Sequence, residues 1–144
     1  MQKDIVKTLS GHHLKSTSAR RELLSLLSQV NTPVDAAFLV EKLEKKLGID
    51  RVTVFRMLNV LTKHGIVRKL EFGEGKARYE LFTTDHHHFI CDNCGTIEDI
   101  SDCNIEALEK EISAKKHIRI LRHSLEFYGL CEKCSKLLKE NIGS

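Results

Sequence analysis

The chain has 144 residues, 41% hydrophobic and 30% charged, with one Pro and eight Gly, which excludes a disordered or collagen-like chain and leaves room for one ordinary domain or two small ones. No apolar run approaches the roughly 18 residues of a membrane span, and Met1-Gln2-Lys3-Asp4-Ile5 is not the apolar core of a signal peptide, so a cytoplasmic protein with no membrane partner is expected. The formal net charge of +3 hides an asymmetry: residues 1–84 carry 15 Lys and Arg against 9 Asp and Glu, and residues 85–144 carry 8 against 11, suggesting an anionic partner for the first half and cations or protein contacts for the second.

Ile5, Val6 and Leu9 predict a short amphipathic helix, interrupted by the polar stretch His12-His13-Leu14-Lys15-Ser16-Thr17. Thr17 or Ser18 can cap the next helix through a hydroxyl. That helix should bury Leu23, Leu24, Leu26, Leu27 and Val30, and end at Asn31-Thr32-Pro33. Asp35 caps a third helix with Leu39, Leu43 and Leu47 on one face, stopped by Gly48. Asp50 caps a fourth over residues 51–64, whose apolar stripe is Val54, Leu58 and Leu61. The first turns of this fourth helix offer Arg51, Thr53, Phe55 and Arg56 on its other faces. A cation, a hydroxyl and a flat apolar group at a helix N-terminus suit the major groove of DNA. Residues 66–72 and 77–81 then read as two strands around Gly73-Glu74-Gly75-Lys76, a hairpin. Helices followed by a two-strand hairpin make the winged helix-turn-helix pattern. Scattered Lys and Arg are more often a solvated face; here the basic residues fall on the capped end of the fourth helix.

In the second half, His88-Phe89-Ile90-Cys91 and Thr96-Ile97-Glu98-Asp99-Ile100 read as strands joined by a turn. Residues 105–112 predict a helix with Ile105, Leu108 and Ile112 on one face. Residues 118–130 predict a long strand, and 134–141 a closing helix. A two-layer α/β unit this small has a thin core and exposed sheet edges, for which zinc and dimerisation are the usual remedies.

Five Cys, four of them in two C-x-x-C pairs, point to metal or redox chemistry rather than a disulfide framework. Cys91 with Cys94 and Cys131 with Cys134 can complete a tetrahedral thiolate site for zinc. Their separation leaves room for a helix and a strand, so the site would staple the two ends of the module. The fifth, Cys103, reads as a buried or idle thiol. On a strand, His86 and His88 point one way and Asp85 and His87 the other. One histidine cluster can therefore serve two metal sites, the first completed by Glu80 and Asp99, the second by Glu106 and His123. Nitrogen and oxygen donors suit Fe(II), Mn(II), Zn(II), Ni(II) or Co(II). A three-His run is also compatible with a plain solvated turn.

At these residues the chain resembles the ferric uptake regulator family over nearly its whole length. The matches, in order, are Leu14-Lys15-Ser16-Thr17 with Arg20; Thr53-Val54-Phe55-Arg56 with Leu58; His86-His87-His88-Phe89-Ile90-Cys91 with Cys94-Gly95; and His123, Leu125-Glu126, Tyr128-Gly129, Cys131 and Cys134. The resemblance implies an α+β protein: an N-terminal winged-helix DNA-binding domain, residues 1–82, and a small α/β dimerisation and metal-binding domain, residues 83–144. It implies a homodimeric, metal-dependent transcription factor, usually a repressor, on a palindromic double-stranded DNA operator, with no enzymatic activity and no small-molecule substrate. Cys91, Cys94, Cys131 and Cys134 match the structural zinc ligands. Glu80, His86, His88 and Asp99 match the regulatory site, and His87, Glu106 and His123, with Asp85, the additional site. Lys15 would reach the minor groove, and Thr53, Phe55 and Arg56 the major groove.

The chain also departs from the family. Many members add a His from the loop before the third helix, where this chain has Asn31-Thr32-Pro33-Val34. Zinc-sensing members often carry Cys at the position of Glu80, and iron sensors often carry Asp at that of His87. Phe55 stands where Tyr is common. The order of expectation for the sensed signal is iron, then zinc, then peroxide or Mn(II). A reading of another class is a zinc hydrolase using His86, His88 and Glu80, which would need an open coordination position and a general base; the sequence has no H-E-x-x-H motif. A third is a protein-binding zinc module, against which the basic fourth helix argues.

Overall fold

The computed structural model describes residues 2–82, 86–101 and 103–142, with the side chains of 141 and 142 left aside. Two compact units divide the chain, Met1–Thr83 and Thr84–Ser144.

The first unit opens with helix α1 (Gln2–Gly11), which buries Ile5 and Leu9 and leaves Val6 exposed. Helix α2 (Ser18–Gln29) begins where the Thr17 hydroxyl accepts from the Arg20 amide, and it buries Leu23, Leu24 and Leu27. The two-residue strand β1 (Val34–Asp35) leads into α3 (Ala36–Leu47). Asp35 caps α3 by accepting from the Phe38 amide, and Gly48 closes it at φ 64°, a left-handed conformation suited to glycine. Leu39 and Leu43 are buried, whereas Leu47, expected on the same face, is exposed. Helix α4 (Arg51–Lys63) is capped by Asp50 accepting from the Thr53 amide. It buries Met57 besides Val54, Leu58 and Leu61.

Strands β2 (Val67–Glu71) and β3 (Ala77–Leu81) form the hairpin, and β1 adds to the far side of β3, so the sheet order is β1-β3-β2, all antiparallel. Gly73 and Gly75 take φ of 71° and 77° in the turn. The leucines of α1 to α4 pack with Ile66, Val67 and Tyr79 into one core; each such buried side chain is worth about 1.5–3 kcal/mol. Two polar ties fix the hairpin to the helices: Lys76 Nζ donates to Asp35 at 2.8 Å, and Arg78 donates to the Pro33 carbonyl at 3.1 Å.

The second unit is a three-stranded sheet of β4 (His87–Cys91), β5 (Ile97–Ile100) and β6 (Glu126–Gly129), in the order β5-β4-β6. Strand β4 runs antiparallel to β5 and parallel to β6. Helix α5 (Ile105–Lys116) lies between β5 and β6 in sequence, and α6 (Glu132–Ile142) closes the unit. The long strand expected over 118–130 is corrected to the four residues of β6. Ile118 and Leu121 are 51% and 81% exposed, so their apolar character does not reflect a sheet packed within the chain. Nor does α5 bury its stripe: it has no buried residue, and Leu108 and Ile112 are exposed.

Candidate metal centres and nucleic-acid interface

Strand β4 is the scaffold of the metal-ligating residues. It is central in its sheet, with His87, His88, Ile90 and Cys91 all buried. Alternation along the strand puts His87, Phe89 and Cys91 on one face and His88 and Ile90 on the other.

At the end of β4 the chain turns back through Gly95, at φ 75°, with the Gly95 amide donating to the Cys91 carbonyl. This turn carries Cys94 to Cys91. Cys131 follows β6, and Cys134 lies in the first turn of α6. The four sulfurs lie within 4.8 Å of one another, and those of Cys94 and Cys131 are 3.7 Å apart. A zinc ion with Zn–S bonds of about 2.3 Å needs S···S edges of about 3.8 Å in a tetrahedron. The thiols therefore suit structural zinc in number, chemistry and spacing. Phe89 covers them on the strand side.

The surrounding groups treat the thiols unequally. Amides of Cys94 and Cys131 point at the Cys91 sulfur and hold its pKa down to about 6. The Thr96 side chain, 3.0 Å from the Cys94 sulfur, lowers that thiol as well. At Cys134 the amide of Asn93 donates at 3.2 Å and favours the thiolate. The Cys131 sulfur and burial outweigh it and push Cys134 up to about 11. Crowded sulfurs resist sharing several negative charges; a divalent cation removes that conflict by ligating all four as thiolates. Asn93 and Thr96 were not among the candidates read from the sequence. Their signal was position: one lies inside the first C-x-x-C and the other two residues beyond it.

The histidines separate as the strand alternation requires. His86 and His88 meet ring to ring at 4.8 Å between centroids, edge to face. His88 is 2% exposed and its Nε2 lies 3.5 Å from Asp99, its cross-strand partner. Two imidazoles and a carboxylate thus gather on one side of the β4–β5 pair. Glu80 belongs to the first unit, on β3 opposite Arg68, whose guanidinium is 3.8 Å away. On the other side, His87 Nε2 is 2.9 Å from His123 Nε2. His123 in turn sets Nδ1 2.7 Å from a carboxylate oxygen of Glu109. Glu106, also on α5, is exposed and lies 3.2 Å from Lys110. Asp85 falls outside the described residues.

In the first unit, Arg51, Thr53 and Arg56 are exposed on the N-terminal turns of α4, and Phe55 is half-buried. The Arg51 guanidinium stacks over the Phe55 ring at 5.4 Å. Lys15 is exposed between α1 and α2. Its loop is held by Arg20 donating to the Lys15 carbonyl at 2.9 Å, and by Arg21 donating to the Ser16 carbonyl. Two solvent-facing cationic elements thus stand on a rigid helical frame, as phosphate and groove contacts require.

No helix among the described residues is long and apolar enough to cross a membrane. The model of the ferric uptake regulator family matches residues 11–128. The chain is 31% identical over 140 residues to the peroxide operon regulator of Bacillus subtilis, covering 96% of this chain and 95% of that protein. It is 40% identical over 131 residues to the ferric uptake regulation protein of Vibrio cholerae, covering 87% and 85%. Its fold matches that of a zinc uptake regulator solved in complex with zinc and DNA, with a TM-score of 0.72, 26% identity and coverage of 95% and 94%.

Proposed function

The chain belongs to the ferric uptake regulator family, and from that premise we propose that it is a homodimeric, metal-responsive transcriptional regulator that acts in the cytoplasm as an iron-dependent repressor on palindromic operators. The observation that carries this reading is one strand. β4 brings structural thiols to one end and two separate imidazole clusters to the other, in a chain whose first unit exposes a basic recognition helix. Cys91, Cys94, Cys131 and Cys134 would hold zinc for the fold. His86, His88 and Asp99, with Glu80 six residues before His86 in the chain, would form the regulatory site. His87 and His123, with Glu106 and Asp85, would form the additional site.

A divalent ion held at the regulatory site would favour the DNA-competent form only by binding that form more tightly than the others, since equal affinity shifts nothing. His88 would contribute a buried nitrogen, with the Asp99 carboxylate 3.5 Å away across the sheet. Glu80, at the end of β3, would supply a carboxylate ligand. Lys15, Arg51, Thr53, Phe55 and Arg56 would make the DNA contacts, Lys15 in the minor groove and the α4 residues in the major groove. The exposed apolar side chains of the second unit, among them Leu108, Ile112, Leu121, Phe127 and Tyr128, support burial of that surface in a dimer.

The carboxylate Glu80 supports iron, and the similarity to a peroxide operon regulator favours a second reading in which peroxide is the oxidant and a His beside the Fe(II) site would be the group oxidised. Nothing in the comparisons supports the hydrolase reading. The deciding experiment is operator binding by gel shift with Fe(II), Mn(II) or Zn(II) added anaerobically to protein that retains its thiolate zinc. Binding that requires one of these ions and ceases on chelation is expected. Binding indifferent to all three would overturn the metal switch. Loss of binding on brief peroxide treatment of the Fe(II) form alone would select the second reading.

A further inference from the structure

We propose that Glu109 is the positioning carboxylate of the His87–His123 site, fixing which nitrogen of His123 faces the ion. This rests on the reading that these two histidines hold the additional metal. An ionised carboxylate only accepts hydrogen bonds. The His123 nitrogen 2.7 Å from Glu109 is Nδ1, so Nδ1 carries the proton and Nε2 presents its lone pair. That Nε2 lies 2.9 Å from the Nε2 of His87. Two imidazole nitrogens bound to one tetrahedral ion at about 2.0–2.1 Å stand about 3.3–3.4 Å apart. In the hydrogen-bonded pair the shared proton then sits on His87 Nε2; binding an ion would part the two nitrogens by a few tenths of an ångström and would require that proton to pass to His87 Nδ1 or to solvent.

Placement favours this role. His87 is fixed in the central strand and is 7% exposed. His123 lies outside regular structure, before β6, so its ring direction needs another constraint. Glu109 supplies it from α5, and both side chains are partly shielded, at 29% and 27% exposure. A metal-bound imidazole oriented by a carboxylate on its other nitrogen binds about 10- to 100-fold more tightly than one without. Glu106, one helical turn earlier and 81% exposed, is free of this task and remains available to approach the ion directly. The two carboxylates divide the work: one holds the ring and the other is a candidate ligand.

The test is a Zn(II) titration of the full chain, its thiolate site already filled, labelled with ¹⁵N-histidine. The His123 ring signals, identified by their loss in His123→Ala, report this site separately from the others. The native chain should show His123 with the proton on Nδ1, and its signals should move on adding Zn(II). Glu109→Ala should shift the proton towards Nε2 and weaken Zn(II) binding at this site about 10- to 100-fold. Glu109→Gln, whose amide oxygen still accepts from Nδ1, should retain the native proton position. An unchanged proton position and an affinity within twofold of native in Glu109→Ala would overturn the inference, as would a loss seen in Glu106→Ala and not in Glu109→Ala. If native His123 signals ignore Zn(II), the additional site itself fails and the inference falls with it.

Discussion

The sulfurs of Cys94 and Cys131, 37 residues apart in the chain, stand 3.7 Å from one another, at the edge length of a zinc tetrahedron and too far for a disulfide. The sheet reaches this point from both sides: β4 ends at Cys91, and β6 ends two residues before Cys131. With few other buried side chains to anchor its ends, the second unit depends on this junction. Cys91→Ser is therefore expected to lose the tightly held zinc, measured by elemental analysis of protein purified without added metal. It should also destabilise the second unit by more than about 3 kcal/mol, since structural zinc sites in small domains contribute on the order of 10 kcal/mol. Full zinc retention in Cys91→Ser would refute the four-thiolate assignment.

Asp35 sets a prediction for acid. Hydrogen bonding from Lys76, then from the Phe38 amide, holds its carboxyl below the usual range. A carboxylate with a depressed folded pKa contributes stability that is complete above its unfolded pKa of about 4 and is lost as pH falls through the folded value. Asp35→Asn keeps a good helix cap and removes the charge. Its stability should fall less steeply than the native chain's below about pH 4, measured by urea unfolding across pH. Asp35→Ala loses the cap as well and should cost about 1 kcal/mol at neutral pH. Parallel native and Asp35→Asn curves would show that this charge does not matter to the fold.

What the sequence made legible follows the range of the interactions. Caps at Thr17, Asp35 and Asp50 are local, three residues from the amides they satisfy, and they mark the helix starts correctly. The leucine spacing of α2 to α4 reveals the core because those helices pack within their own unit. The two-residue β1 was invisible, since its pairing with Arg78 and Tyr79 is non-local. The strand read over 118–130 was too long because Ile118 and Leu121 are apolar without being packed in the chain. Glu109 escaped notice because its partner His123 lies 14 residues away, beyond the end of α5. The C-x-x-C pairs and the histidine run were legible as donors, but which face each imidazole occupies required the strand.

The recognition surface is tested by salt. Removing one phosphate-contacting cation should weaken binding to all sequences alike and reduce the log–log salt slope by about 1. Lys15→Ala and Arg56→Ala are both exposed substitutions that should leave folding intact. Lys15→Ala should lower affinity and discrimination for A·T pairs in the operator, because the minor groove distinguishes A·T from G·C. Arg56→Ala should cost about 1–3 kcal/mol if it reads a guanine edge, and the loss should concentrate at one base position. Operator affinities measured by fluorescence anisotropy at several salt concentrations separate these outcomes. Unaltered affinity in both variants would remove α4 and the Lys15 loop from the interface.

The last prediction separates metal sensing from folding. His88 is buried on β4 and faces away from the thiolate cluster, while Cys91 on the same strand faces it. The alternation that divides them should also divide their mutants. His88→Ala removes a regulatory ligand and leaves a cavity in the sheet, so a cost of about 2–3 kcal/mol in stability is expected. Asp99→Asn, at a half-exposed position, avoids that cost and removes only the carboxylate that Asp99 would bring to the regulatory site. Both variants should retain the thiolate zinc and remain dimeric by sedimentation. Both should need more Fe(II) for operator binding, Asp99→Asn by about 10- to 100-fold and His88→Ala without reaching saturation. A normal Fe(II) requirement in both would move the sensing site elsewhere. Loss of zinc or of the dimer in Asp99→Asn would show instead that this side of β4 serves the fold rather than the switch.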